Sequence, residues 1–433
     1  MSWTVEDLKE WDEKIRELAV GYGLDWYPIN YEVCDYYSMI GHMSYHGMPT
    51  HYDHWSYGKT FERTHQAYNA GVEGLPYELI INSNPSIAYL MRENPLYLQI
   101  LIMAHCVGHS DFFKNNRMFQ HTRAESVIGR FRAAKKRIQE YVEDPYVGVE
   151  KVEEVIDSCH ALQFQILRDG STRKTHPELV EYYKSLVEYD ENGKQIIYDL
   201  DEPPLEPDAD VLGFIIEHGK MPGWKRDIIE IVRDESYYFM PQIQTKIMNE
   251  GWASFWHYTL CHDLNLPDEH HLPFLRMHNA VIRPHMGGLN PYHLGFVIFQ
   301  DIKERYGLEE CFIARETCND RSFIRQYLTH ELCDELGLFS WSEKKENYSI
   351  DEISDKDGWK AVRDHMVNSI ADARLPIIKV TGIDKDGTLQ LFHEHDGRDL
   401  ELDYADKTVE HIRNLWGNEV TLHTIIEDDP WEI

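Results

Sequence analysis

From Leu96 to His109 the chain reads Leu-Tyr-Leu-Gln-Ile-Leu-Ile-Met-Ala-His-Cys-Val-Gly-His. Apolar side chains fall on every face of a 3.6-residue period, so the stretch predicts a helix with no solvent face. Asn94 offers a cap and Pro95 suits the first helical position. Such a helix must be wrapped by other elements, and the chain has the material to do so. Its 433 residues are 42% apolar and include 11 Trp and 26 Tyr. A disordered chain would be poor in these, and this length predicts two or three folded units of about 100–200 residues each.

Helical periods recur around that segment. An amphipathic helix is predicted from Thr4 to Gly21, capped by Thr4. Tyr22 to Gly74, dense in Tyr, His and Gly, reads as packed loop with short helices. Further helical patterns cover Phe112–Val142, Val149–Leu167, Gln242–Cys261 after Pro241, Asn290–Tyr306, Glu316–Gly337 and Trp359–Ala373. Between Gly170 and Asp210 a turn at Asp190-Glu191-Asn192-Gly193 and the run Glu202-Pro203-Pro204-Leu205-Glu206-Pro207 read as a connector. The last part changes character. Pro376–Thr381 and Thr388–Glu394 are predicted as strands paired across an Asp386-Gly387 turn. A helix over Asp406–Trp416 and a strand over Glu419–Ile425 follow. The expectation is a mainly α protein: a large helical region, 1–373, and a small α+β C-terminal domain, 374–433.

Charge narrows the partners. A formal net charge of -32 repels phosphate backbones and anionic membrane surfaces, so neither nucleic acid nor a membrane is expected. The basic run Arg130, Arg132, Lys135, Lys136 and Arg137 reads as the solvated face of a helix. The acidic start resembles no secretory signal, no apolar run of about 18 residues exists, and the seven cysteines form no CxxC pair. These features point to reduced thiols and a cytoplasmic protein. Oligomeric state is not encoded in any pattern of the sequence.

Chemistry is most concentrated at His105 and His109. At i and i+4 they project from one helix face, a spacing that can grip one metal ion. The bland alternative is two satisfied core histidines. On the Gln242–Cys261 helix, Glu250, Ser254, His257 and Cys261 share a stripe at offsets 4, 7 and 11. Glu250 among Trp and Phe needs a metal, an arginine or a donor. It is either a third ligand beside His105 and His109, or a salt-bridge partner of Arg226 or Arg233. His257 is a fourth ligand or a proton donor. Zinc suits such donors first and iron second. The pattern resembles gluzincin-type zinc hydrolases, which use two helix-borne histidines and a glutamate from a later helix. It departs where their general base should follow the first histidine, because Cys106 stands there and a thiol does not replace a carboxylate. Asp111 and Glu78 are the nearest alternative bases in sequence. Glu153, Asp157 and His160 make a weaker stripe, an ion-pair network or a second ligand set. His51, Asp53 and His54 read as a pocket lining, and His393 to Asp396 as the end of a surface hairpin. Cys106, Cys159 and Cys261 read as core packing.

Several segments together resemble the SpoVR (stage V sporulation protein R) family. They are His51-Tyr52-Asp53-His54-Trp55-Ser56-Tyr57-Gly58-Lys59, Tyr77 to Pro85, His109 to Asn116, Thr245-Lys246-Ile247-Met248-Asn249-Glu250-Gly251-Trp252-Ala253 with Phe255-Trp256-His257-Tyr258, Asn290 to Phe296, and Asp396 to Leu400. The resemblance implies a bacterial cytoplasmic protein linked to spore cortex formation, or to stress and stationary phase in relatives that do not sporulate. It also implies a neighbouring serine kinase pathway as protein partner. Two functions follow as expectations, with a redox or oxygen-dependent metalloenzyme as a weaker third, since mixed His/carboxylate ligands also suit iron. One is a metal-dependent amide or peptide hydrolase in peptidoglycan metabolism, with Glu250, His257 and Asp111 as its catalytic candidates. The other is a non-catalytic adaptor or regulator whose acidic surface docks a basic partner.

Overall fold

The computed structural model describes residues 3–69, 78–186, 194, 200, 203–285, 288–344 and 347–433; of 341–349 only the backbone is described. The described residues carry seventeen α-helices and three small sheets, a mainly α fold ending in a small α+β part. Two compact units divide the chain: Met1–Lys135 with Pro241–Arg374, and Lys136–Met240 with Leu375–Ile433. Among the described residues no helix is long and apolar enough to cross a membrane.

The first unit is built around the predicted apolar helix, Leu96–Asn115, in which every residue from Leu98 to Phe113 is buried. Pro95, not Asn94, takes its N-cap position, because a proline has no N–H to leave unsatisfied there. The helix runs past His109 and stops at Asn116. The buried Asn116 side chain donates to the Arg315 and Cys318 carbonyls (2.7 and 2.8 Å), fixing a turn where helical continuity to Val142 was expected. Helix Val5–Tyr22, capped by Thr4 and Asp7 as a reciprocal box, packs against the apolar helix.

Two glycine crossings bring the helices of the site together. A Cβ on Gly108 would stand 2.7 Å from the Ala253 Cα, so helix Lys246–Asp263 meets Leu96–Asn115 backbone to backbone. A Cβ on Gly251 would stand 2.4 Å from the Gly295 carbonyl carbon, which seats helix Pro291–Tyr306 equally close on the other side. Only residues lacking a side chain permit such approaches. The Lys246–Asp263 helix is also capped from afar. The buried Asp320 carboxylate accepts from the Ile247 and Met248 N–H groups, both at 2.9 Å. Burial pushes this carboxyl up to about 7 even against those bonds.

The Tyr22–Gly74 tract holds more order than its irregular period suggests. Strand Ile29–Cys34 runs parallel to Ser86–Met91, and Glu78–Ile81 pairs antiparallel on the far edge of Ser86–Met91. Helices Tyr36–Ser44 and Trp55–Asn69 lie between. A hairpin, Phe339–Lys344 with Asn347–Ile353, falls after the last helical pattern expected before Trp359.

In the second unit, Ile378–Ile383 pairs antiparallel with Leu389–His393 across the expected Asp386-Gly387 turn, where Gly387 has φ +93°. Helix Leu402–Trp416 crosses over to Val420–Ile426, parallel to Leu389–His393, as a parallel pair requires. An unexpected short strand, Asp429–Glu432, completes the sheet. The Asp190–Gly193 turn lies outside the described residues, and so does Glu202.

Candidate metal centre

One turn of the Leu96–Asn115 helix separates His105 from His109, so both rings leave it on one face. Strand Glu78–Ile81 and helix Lys246–Asp263 each bring a carboxylate to them. His105 Nε2 lies 3.6 Å from Glu78 Oε1 and 3.7 Å from Glu250 Oε2, and His109 Nε2 lies 3.4 Å from Glu250 Oε2. Ligand atoms of Glu78, His105 and His109 all fall within 4.8 Å of one another, the one such group of metal-ligand types among the described residues. The histidine side chains are 3% and 6% exposed, against 13% and 18% for Glu78 and Glu250, so the carboxylate side is the open one.

The outer nitrogens of both rings are held. His109 Nδ1–H donates to Asn249 Oδ1 at 2.8 Å. His105 Nδ1 shares a 2.8 Å hydrogen bond with His257 Nδ1, and His257 Nε2 shares another of 2.8 Å with His278 Nδ1. Toward the centre the situation reverses. His105 Nε2 and Glu250 Oε2 are buried and make no hydrogen bond. Their separations are electrostatic contacts, too long for hydrogen bonds. An orphaned buried nitrogen beside an orphaned buried carboxylate oxygen is costly unless something sits between them.

Electrostatics follow this layout. Burial alone would raise the Glu250 carboxyl, but the His105 and His109 side chains outweigh it and hold it well below the usual carboxylate range. Burial would lower His109, and Glu250 and Asn249 reverse this, raising it. His257, buried among His105, His278 and His109, is lowered well below the ordinary imidazole range; burial likewise brings His278 down to about 4. Tyr292 is the second residue of the Pro291–Tyr306 helix, which Asn290 caps by accepting a 3.0 Å bond from the Tyr292 N–H. Its ring stacks on His105 with centroids 6.1 Å apart, and the Glu250 charge, then burial, then Glu78 push its phenol strongly up.

The sequence candidates divide. His105, His109 and Glu250 come together. Glu78, named among the alternative bases, joins them. Glu250 does not pair with the arginines considered for it, since Arg233 Nε donates to Asp210 at 2.8 Å and Arg226 donates to the Gly219 carbonyl. His257 is adjacent but is not placed as a fourth ligand, because both its ring nitrogens are taken by imidazoles. Asp111 is turned to the other side of its helix. It accepts from the Asp25 N–H and Trp252 Nε1, each at 2.8 Å, and faces Arg315 at 3.4 Å. Burial raises it to about 6 against these partners. Its role is to pin the helix to Trp252, and it does not face the cluster as a base would.

The remaining motifs stay apart. Glu153, Asp157 and His160 ride on helix Gly148–Leu162 of the second unit. His51 contacts the Tyr52 carbonyl and Tyr57, and His54 bonds Ser56. His393 bonds Thr424, and His395 bonds Asp399. All seven cysteines are buried and unbridged, and burial pushes the Cys106 thiol well up, as expected of packing. Asn249, His278 and Tyr292 escaped sequence reasoning as functional positions. The signal available for Asn249 and Tyr292 was their place inside the quoted motifs.

The model of the family described as "SpoVR like protein" matches residues 2–374, and that of "SpoVR-like C-terminal domain" matches 376–427. The chain belongs to the SpoVR family. A relative from Escherichia coli (strain K12), "Uncharacterized protein YcgB", is 34% identical over 485 aligned positions, spanning 100% of this chain and 94% of the relative. No solved structure matches this SpoVR-family chain.

Proposed function

We propose that this SpoVR-family protein is a metal-dependent hydrolase of amide or peptide bonds, acting in the cytoplasm on peptidoglycan precursors or fragments in support of spore cortex formation or stress response. The observation that carries the reading is the convergence of His105, His109 and Glu250 from two distant helices on one point. The unpartnered His105 Nε2 and Glu250 Oε2 fit a cation there, and two imidazoles with a carboxylate suit zinc first and iron second.

Zinc bound by these three residues would supply Lewis acidity and a readily deprotonated water. Glu78 then answers the question left by Cys106. Its carboxylate arrives from a strand, not from the residue after the first histidine, and takes the proton from the attacking water as general base. Tyr292, kept protonated beside Glu250, donates a hydrogen bond to the oxygen on which charge develops. Asn249 holds the His109 ring so that Nε2 faces the centre.

Elemental analysis of protein purified without added metal tests the reading. About one zinc per chain is expected, lost in a His105→Ala/His109→Ala variant. Glu78→Gln should keep the metal and lose cleavage of muropeptides by about 10²–10⁴-fold. A well-folded chain that takes up neither zinc nor iron would refute it. That result would favour an adaptor or regulator docking a basic partner in a serine kinase pathway, the reading supported by the net charge of -32.

A further inference from the structure

The three imidazoles of His105, His257 and His278 form an unbroken hydrogen-bonded row, Nδ1 to Nδ1 and then Nε2 to Nδ1, each link 2.8 Å. Each link holds one proton between two nitrogens. A neutral imidazole has one N–H and one lone pair, so a row of neutral rings can be ordered in only two ways. His257 is fully buried with a histidine on either side, which disfavours a charge on it and leaves those two orders. In the first, His278 Nδ1–H donates to His257 and His257 Nδ1–H donates to His105. His105 then carries its own proton on Nε2, toward Glu78 and Glu250. In the second, the two shared protons sit on the opposite partners of their links, the His105 Nε2 proton has left to solvent as an ion takes its place, and His278 Nε2 has taken one proton up from solvent. His105 Nδ1–H donates to His257, His257 Nε2–H donates to His278, and His105 Nε2 presents a lone pair to the centre.

We propose that His257 and His278 are positioning residues whose hydrogen-bonded row with His105 switches order as a unit, so that a metal ion at the His105–His109–Glu250 centre fixes the tautomer of His278 two rings away. This rests on the metal-centre reading above, because only an ion taking the His105 Nε2 lone pair forces the second order. The row also explains why a buried, apolar helix tolerates His105. Its outer nitrogen, Nδ1, has a partner in either order, with or without an ion, and only Nε2 is left for the centre to satisfy. Asn249 does the same for His109 through a single bond, with no row behind it. The two ligand histidines are therefore supported differently, and only the His105 side transmits the state of the centre.

The test is nitrogen-15 NMR of histidine side chains in the full-length protein, titrated with zinc sulfate. His278→Gln assigns the His278 signals. With zinc bound, His278 should show an unprotonated Nδ1 and a protonated Nε2. His278→Phe removes the acceptor at the end of the row and should weaken zinc binding about 10–100-fold. His278→Gln, whose amide oxygen can accept from His257, should stay near wild type. Zinc uptake with His278 still protonated on Nδ1 would overturn the row while leaving the metal centre standing. So would a His278→Phe variant that binds zinc as tightly as wild type. No zinc uptake at all would overturn both.

Discussion

Gly251 sits beside Glu250 where helices Lys246–Asp263 and Pro291–Tyr306 cross, and replacing it by alanine measures how tightly that crossing is built. An added Cβ would stand 2.4 Å from both the carbonyl carbon and the Cα of Gly295, where ordinary contact begins near 3.4 Å. The obstacle is backbone, so no rotamer relieves it. The helices must separate by ~1 Å, in an interior packed as densely as a crystal. Overpacking of this kind costs about 1–3 kcal/mol. At about 2–4 °C per kcal/mol, thermal unfolding should fall by several degrees. The same displacement draws Tyr292 away from Glu250, so zinc affinity should fall with stability. Gly129→Ala provides the opposite case. Gly129 is an exposed helical glycine with nothing within 4 Å of an added Cβ. There alanine should stabilise by about 0.5–1 kcal/mol. Calorimetry of the two variants beside wild type decides the matter. A Gly251→Ala protein melting within a degree of wild type, with unaltered zinc binding, would refute the crossing as drawn.

Asp320 caps the Lys246–Asp263 helix with a carboxyl raised to about 7, so its folded form holds a proton that the unfolded chain releases near the ordinary value of 3.8. Its stabilising share is therefore full below about pH 4 and is lost as pH rises toward 7. Asp320→Asn should flatten that decline in melting temperature, and an unchanged pH profile would contradict the assignment. Trp252→Phe removes the Nε1 donor from the buried Asp111 and should cost about 1–3 kcal/mol in urea unfolding without altering metal content. A loss of zinc in that variant would mean Asp111 takes part in the centre after all.

The parts of the fold legible from sequence were those whose signal is local. The all-round apolar period of Leu96–His109 announced a buried helix, and Thr4 and the Asp386-Gly387 turn marked an end and a reversal correctly. The i, i+4 histidines and the stripe bearing Glu250 were readable for the same reason. What stayed hidden depends on partners far along the chain. Ser86–Met91 pairs in parallel with Ile29–Cys34, and no turn residue advertises such a pairing. Glu78 owes its place to that sheet. Asp111 shares a short stretch of helix with the histidines yet points elsewhere, because two residues of helix rotate a side chain about 200°. His278 has no motif of its own. Its meaning comes from His257, which sequence reasoning had pointed toward the metal.

The first unit is discontinuous, Met1–Lys135 closing on Pro241–Arg374. His105 and Glu78 are thus synthesised before the whole of Lys136–Met240, and Glu250 after it. At about 5–20 residues per second of translation, the buried Leu96–Asn115 helix waits on the order of ten seconds for the helix that covers it. Nascent molecules are exposed to aggregation and to chaperones throughout that interval, and truncated products ending inside Lys136–Met240 carry the hazard without any prospect of the chemistry.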